Sequence, residues 1–205
     1  MDQPLNYKND SLDVTIEYYH SNTLPEHLKT WTFELVKDNL YDLYINSNDG
    51  WNETDKKKEL LAPEARYLIA KSNDGPTNKD DNKYLGYLMF QMVQEETMEE
   101  DDRMADVAYC YELQLTEQAR NQGLGEYLMN LLMDVGDYWK LEKVMLTVFK
   151  DNKGAFRFYT KKMGFKLDEI SPGACLPPRK AKQFDYEILS KPLNNQIRNN
   201  NAKLR

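Results

Sequence analysis

The 205 residues predict one mixed α/β domain. Three observations carry this. Segments with period-two alternation and segments with helical spacing interleave along the chain instead of gathering into separate halves. The apolar share is 40 %, enough for one core, and the length suits one domain and is short for two. A glycine-containing turn stands where a predicted strand hands over to the clearest helix.

Residues 12–19 alternate well enough for a strand. Leu24, Leu28, Trp31, Leu35, Val36, Leu40, Tyr41, Tyr44 and Ile45 recur at spacings of three, four and five, which predicts helix, one or two in sequence. Residues 46–50 signal a loop. Residues 66–71 read as a strand, 72–82 as a polar turn, 84–93 as a long strand and 107–115 as another. The helix at 126–139 carries one apolar stripe of Tyr127, Leu128, Leu131, Leu132, Val135, Tyr138 and Trp139. A short strand at 144–149 leads to an amphipathic helix at 155–163, stopped by Gly164 as a C-terminal cap. Strands at 165–170 and 184–189 close around a loop at 171–183. Residues 194–205 are polar and Asn-rich and are expected to form a disordered tail, which leaves 1–193 as the domain.

Composition excludes several classes. No apolar run approaches the roughly 20 residues of a membrane span. Met1-Asp2-Gln3-Pro4 lacks the basic and apolar regions of a secretory signal. Cys110 and Cys175 give neither a disulfide framework nor a metal spacing, and with only His20 and His27 no zinc site is expected. An intracellular, reducing compartment is expected. The net charge of -7 argues against binding a nucleic-acid backbone and permits a basic partner. Glu95, Glu96, Glu99, Glu100, Asp101 and Asp102 fall almost together, either as a solvated hairpin tip or as a field for a cationic peptide.

Arg120-Asn121-Gln122-Gly123-Leu124-Gly125 lies between the strand ending at Leu115 and the helix starting near Glu126. Glycines two apart let the backbone approach a ligand closely. Amides at a helix N-terminus favour an anion, and Arg120 can add a charge-assisted bond to phosphate. Together they describe a pyrophosphate cradle. No Lys-Ser or Lys-Thr follows, so it is not a P-loop, and the third glycine of a dinucleotide fingerprint is missing.

Downstream stands Asn152-x-x-Ala155-x-x-Phe158-Tyr159-x-x-x-x-Gly164-Phe165. With Arg120-x-x-Gly123-x-Gly125 it resembles the acetyl-CoA signature of the GNAT (GCN5-related N-acetyltransferase) superfamily, over roughly residues 84–170. That resemblance implies a single-domain GNAT fold, a mixed, mostly antiparallel sheet flanked by helices. It implies acetyl-CoA as co-substrate, with no metal. The turn of Arg120, Asn121, Gln122, Gly123, Leu124, Gly125 and Glu126 would hold the CoA pyrophosphate. The strand through Glu112, Leu113, Gln114 and Leu115 would pair with pantetheine, and Asn152 would contact the cofactor.

Residues 108–115 (AYCYELQL), 143–150 (KVMLTVFK) and 185–190 (DYEILS) resemble the N-alpha-acetyltransferase D family, the histone-specific N-terminal acetyltransferases. So do Leu43-Tyr44 to Gly50-Trp51-Asn52 and residues 66–70, and the likeness spans about 28–190. It implies transfer to the serine α-amine of tails beginning Ser-Gly-Arg-Gly, those of histones four and two-A. It also implies a basic tail partner and residence in cytoplasm and nucleus. Tyr44, Tyr111, Thr147 and Tyr186 match its substrate-contact positions. Tyr159 matches the position from which many superfamily members protonate the leaving thiolate. The sequence departs from the pattern in its longer acidic stretch. It departs also on the preceding strand, where Val93 lies near a family carboxylate and Glu95 two residues on.

The chemistry needs a neutral amine. An α-amine titrates near ~8 and a lysine near ~10.4, so a modest base acting through one water suffices for an N-terminal substrate. Glu112 is the candidate base, flanked by Tyr109 and Tyr111. Alternation puts the tyrosines opposite Cys110 and Glu112 unless a bulge intervenes, and the resemblance implies such a bulge, bringing Tyr111 and Glu112 to one centre. An ion pair on an exposed strand face is the structural alternative for Glu112, and half-buried core packing that for the tyrosines. Cys110 as an acyl nucleophile lacks a neighbouring histidine. A lysine or small-amine acetyltransferase of the same fold, and a CoA-retaining tail-binding module, are the competing readings.

Overall fold

In the computed structural model, residues 5–74, 83–99 and 103–194 are described. Eight strands form one sheet in the order β1-β2-β3-β4-β5-β6-β8-β7. They are β1 (Leu5–Lys8), β2 (Asp13–His20), β3 (Arg66–Ser72), β4 (Tyr84–Glu96), β5 (Met104–Leu115), β6 (Lys143–Phe149), β7 (Lys166–Leu167) and β8 (Tyr186–Pro192). The helices are α1 (Glu26–Ile45), α2 (Glu53–Leu60), α3 (Leu124–Tyr138), α4 (Lys153–Arg157), α5 (Pro172–Cys175) and α6 (Pro178–Ala181). The pairing of β5 with β6 is parallel, from Val107↔Lys143 to Cys110↔Leu146, while β1–β2, β2–β3, β3–β4, β6–β8 and β7–β8 are antiparallel. This is the mixed, mostly antiparallel sheet flanked by helices that the resemblance implies.

The chain packs as two compact units, one holding residues 1–41, 52–91 and 112–130, the other 42–51, 92–111 and 131–205. In the first, β1 and β2 form a hairpin whose turn is tied by the Asn9 side chain, its Oδ1 accepting from Ser11 N (2.8 Å) and Leu12 N (2.7 Å). The expected one or two helices over 24–45 are a single helix, α1, burying Leu28, Thr32, Phe33, Leu35 and Val36. α2 was not expected, because Leu60 is its one apolar residue. Asn52 starts it, accepting from Thr54 N and Asp55 N. Glu53 and Asp55 then sit in its first turn, with Lys57 and Lys58 in its last, each charge matched to the helix dipole. β4 is buried continuously from Tyr84 to Gln91. At Gly86 a Cβ would lie 2.4 Å from the Leu115 side chain and 2.6 Å from the Gln114 carbonyl, so the glycine lets the end of β5 approach.

In the second unit, Ala105, Val107 and Met145 form a core against which Val93, Tyr109, Ile170 and Ile188 pack. The helix predicted at 155–163 is α4 followed by a π-helical turn, Phe158–Lys162, whose end has Gly164 at φ +75. The strand expected over 165–170 is only Lys166–Leu167, because Asp168 turns inward to pair with Lys143 at 2.7 Å and caps Ile170 N. The loop expected at 171–183 contains α5 and α6, each opened by a proline in its first turn. Glu187 staples that segment: it accepts from Ser171 Oγ (2.5 Å) and Gly173 N (2.9 Å) and pairs with Lys150 (3.1 Å). The apolar stripe read along 126–139 overshoots, since Tyr138 and Trp139 are 69 % and 61 % exposed where the helix ends. Of the expected tail, all but Asn194 lies outside the described residues, as do Glu100, Asp101 and Asp102.

Candidate acyl-transfer site

The cradle turn opens directly into α3. Asn121 (φ 58) and Gly123 (φ +83) both have left-handed backbone and flank Gln122. Gly123 O accepts from Tyr127 N, the first helical bond, at 3.0 Å. The α3 N-terminus therefore presents its first amides at the turn. Leu124 is fully buried and anchors it. The glycine at 123 has a reason that sequence reading did not find: a Cβ there would lie 2.4 Å from the Tyr7 hydroxyl of β1. Arg120 is exposed, and its Nη2 donates to Asn39 Oδ1 at 2.5 Å.

A polar chain runs inward from that arginine. Asn39 Nδ2 donates to Gln114 Oε1 (2.9 Å) and to the Leu115 carbonyl (3.1 Å). Gln114 Nε2 donates to Glu112 Oε2 (2.6 Å). Glu112 Oε1 pairs with Lys56 Nζ (2.9 Å), which also pairs with Glu59 (2.6 Å). Glu112 is 4 % exposed and Lys56 7 %. The structural alternative of an exposed strand-face ion pair is thus corrected to a buried one. Burial holds the Glu59 carboxyl above its usual value, Lys56 pulling it down and Glu112 pushing it up. Burial likewise raises the Tyr67 phenol, whose hydroxyl donates to the Leu60 carbonyl. Lys56, Glu59 and Asn39 were missed from sequence, since nothing in the charged run 53–59 distinguishes one lysine from the next.

Burial alternates unbroken from Tyr109 to Leu115, with Cys110, Glu112 and Gln114 buried and Tyr109, Tyr111, Leu113 and Leu115 half-buried. The Tyr109 and Tyr111 rings lie 5.0 Å apart at 44°, as next-but-one neighbours on one face do. Over this span Tyr109 and Tyr111 share the half-buried set and Cys110 and Glu112 the buried one.

In the second unit, the Tyr109 hydroxyl and Thr147 Oγ1 share a 2.6 Å hydrogen bond. Burial pushes the Tyr109 phenol up to about 12, against the Thr147 bond and with help from Glu95. Glu95 itself is raised by burial, countered by Lys143 and reinforced by Asp168 and Glu96. Tyr44 packs edge-on against Trp51 (5.4 Å) and Phe149 (4.9 Å). Burial raises the Tyr186 phenol, with Asp49 and Asp185 adding to it. Asp185 is held by Asn48 N at 2.6 Å. Tyr159 is 8 % exposed and lies edge-on to Phe158 (5.1 Å) and Phe165 (5.9 Å). Asn152 caps α4, its Oδ1 accepting from Ala155 N at 3.1 Å, which gives the asparagine a place at the start of that helix. Among the described residues, no three His, Cys, Asp or Glu side chains come together as metal ligands.

Comparison with known proteins agrees with this fold. Among solved structures, Arabidopsis thaliana NAA60 in complex with a bisubstrate analogue superposes with TM-score 0.59 at 16 % identity, covering 88 % of this chain and 99 % of that one. The paia N-acetyltransferase of Thermoplasma acidophilum in complex with coenzyme A gives TM-score 0.55 at 16 % identity, over 87 % and 98 %. Ard1 from Thermoplasma volcanium gives 0.54 at 14 %, over 88 % and 97 %. Each of these similarities is one of fold. The sequence model of the acetyltransferase (GNAT) family matches residues 33–165, and the chain belongs to that family.

Proposed function

We propose that this acetyltransferase moves an acetyl group from acetyl-CoA to the N-terminal α-amine of a basic peptide tail beginning Ser-Gly-Arg-Gly, as histone tails do. The observation that carries the donor half is the turn at the α3 N-terminus, where left-handed Asn121 and Gly123 open the helix amides beside Arg120. NAA60 crystallised with acetyl-CoA as well as with a bisubstrate analogue supports a fold that takes both substrates. The donor is held by the backbone of Leu113, Gln114 and Leu115 and by the turn from Arg120 to Glu126.

The acceptor half rests on the tyrosines. Tyr109, Tyr111 and Thr147 line one patch of sheet, and Tyr44 and Tyr186 belong to the same unit. Carboxylates lie near two of them, Glu95 toward Tyr109 and Asp49 and Asp185 toward Tyr186, which suits a tail carrying arginine. The acceptor nitrogen attacks the thioester carbonyl, the C–S bond breaks, and the thiolate leaves as CoA takes a proton. Glu112 accepts the amine proton through water, and Tyr159 returns a proton to the thiolate. Tyr109, kept protonated by burial, is not the base.

Mass spectrometry of a Ser-Gly-Arg-Gly peptide incubated with acetyl-CoA tests this. The acetyl should appear on the α-amine, and a peptide blocked at that amine should stay unmodified with its lysines free. Acetylation of the blocked peptide would move the assignment to the lysine or small-amine enzyme.

A further inference from the structure

The first strand touches the cradle in a way that the reaction does not account for. Tyr7 Oη donates to the Gln122 carbonyl at 2.5 Å, and Asn9 Nδ2 donates to the same oxygen at 2.7 Å. Asn9 Nδ2 also reaches the Tyr7 hydroxyl at 3.2 Å. Asn9 is aimed by its own turn, because its Oδ1 is taken by Ser11 N and Leu12 N, which leaves the amide nitrogen facing Gln122. The Tyr7 ring packs on Tyr127 of α3 at 5.1 Å, and the Tyr127 hydroxyl donates back to the Asn6 carbonyl at 3.0 Å. Strand, turn and helix are thus tied at three points in the same unit.

A carbonyl held by two donors fixes the peptide that carries it. In a trans peptide C=O and N–H point in opposite directions. With Gln122 O drawn toward β1, the Gly123 N–H points away from β1. The left-handed residues on either side, Asn121 and Gly123, are what permit this peptide orientation. The space above Gly123 that a side chain would need is filled by the Tyr7 hydroxyl.

We propose that Tyr7 and Asn9 are positioning residues for the cofactor: by holding the Gln122 carbonyl they aim the Gly123 amide at the pyrophosphate of acetyl-CoA. This rests on the reading of the turn as the pyrophosphate cradle. The free peptide could rotate, and the two donors remove that freedom before the anion arrives.

The test is titration calorimetry of the full chain with acetyl-CoA and with S-acetylpantetheine, which lacks the pyrophosphate. The variants are Tyr7→Phe, which keeps the ring on Tyr127, and Asn9→Ser, which keeps an acceptor for the turn and loses the amide donor. Lys8→Ala is the control, since that lysine is 74 % exposed and pairs at the surface with Asp13. Either variant should weaken acetyl-CoA by about five- to tenfold, the size of one lost hydrogen bond. S-acetylpantetheine should change by less than about twofold, and kcat at saturating acetyl-CoA should hold while its KM rises. Unchanged acetyl-CoA affinity in both variants, or equal loss for both ligands, overturns the proposal. If the wild-type protein binds the two ligands equally well, the cradle reading itself falls and this inference falls with it.

Discussion

Replacing Lys56 by methionine keeps the length of the side chain and removes the ammonium that lies between Glu59 and Glu112. Lys56 and Glu112 are 7 % and 4 % exposed and 2.9 Å apart, so the carboxylate left behind stays buried with Gln114 as a neutral partner. Breaking a buried pair on one side costs about 3–5 kcal/mol, because the surviving charge keeps its desolvation cost. Against a total stability of roughly 5–15 kcal/mol this is a large loss. Glu59, paired with the same ammonium at 2.6 Å and 36 % exposed, loses its partner as well. Removing both charges, as Lys56→Met with Glu112→Gln, should cost less than about 2 kcal/mol, giving a favourable coupling of at least about 1 kcal/mol. Urea unfolding with a constant m-value measures it. The doubly changed protein, once folded, also separates stability from chemistry: if Glu112 takes the proton, it binds acetyl-CoA and turns over poorly. A cost under about 1 kcal/mol for Lys56→Met, or strict additivity of the two changes, would refute the buried-pair reasoning.

Three other perturbations probe the same framework. Burial acts to raise the Glu187 carboxyl, but Ser171, the Gly173 amide and Lys150 outweigh it and hold the group below the usual carboxylate value. Its stabilisation is therefore present above the unfolded carboxylate value near ~4.3 and is lost as pH falls through the lower folded value. Glu187→Gln should be less stable at neutral pH and lose less between about pH 5 and about pH 3, and thermal melts parallel to wild type would sink this. Tyr109→Phe should lower kcat/KM for the peptide by up to about tenfold, the size of one lost neutral hydrogen bond. It should leave the pH profile between about pH 6 and about pH 9 unchanged in shape, since the phenol titrates at about 12; a displaced limb would show that the phenol titrates in that range. Gly86→Ala should cost about 1–3 kcal/mol of overpacking, because its Cβ would meet Leu115 and Gln114 at 2.4 and 2.6 Å. An unaltered melting temperature would mean that β5 shifts freely.

The elements that could be read from the sequence were those where one physical signal dominates. β4 and β5 carry long apolar runs, and α3 has a clean apolar period from Leu128 to Leu132. α2 was not readable by periodicity, since it is specified by the Asn52 cap and the order of its charges, with Lys56 buried by a carboxylate 56 residues away. The end of α3 departs from its apolar period for a related reason. Apolar spacing continues through Tyr138 and Trp139, but the helix has by then left the core, and spacing alone carries no measure of what lies opposite. Of the candidate site, the turn into α3 was legible because local backbone geometry is written in local residues. Its supports were not. β1 has one residue in four even half-buried, so neither composition nor period marks it as a strand that holds a turn more than 110 residues away.

The glycines show how the two kinds of information divide. Gly123 was expected to be small so that a ligand could approach. A Cβ there would also strike Tyr7, on the side of the turn that β1 covers. Gly86 drew no attention as a lone glycine in a strand, yet it admits the Leu115 end of β5, on which Gln114 and Glu112 stand. In both places the missing side chain makes room for the protein's own chain, and the effect on the site is indirect. Gly123 gives Tyr7 its place beside the Gln122 carbonyl. Gly86 sets how near β5 lies to β4, and so where the chain from Lys56 through Glu112, Gln114 and Asn39 meets Arg120. Substitution at either glycine should therefore impair acetyl-CoA binding through displaced neighbours even where no ligand atom is touched. The affinity lost at Gly123 should depend on Tyr7, so that Tyr7→Phe, by removing the hydroxyl a new Cβ would strike, relieves part of the clash of Gly123→Ala and makes the two changes less than additive.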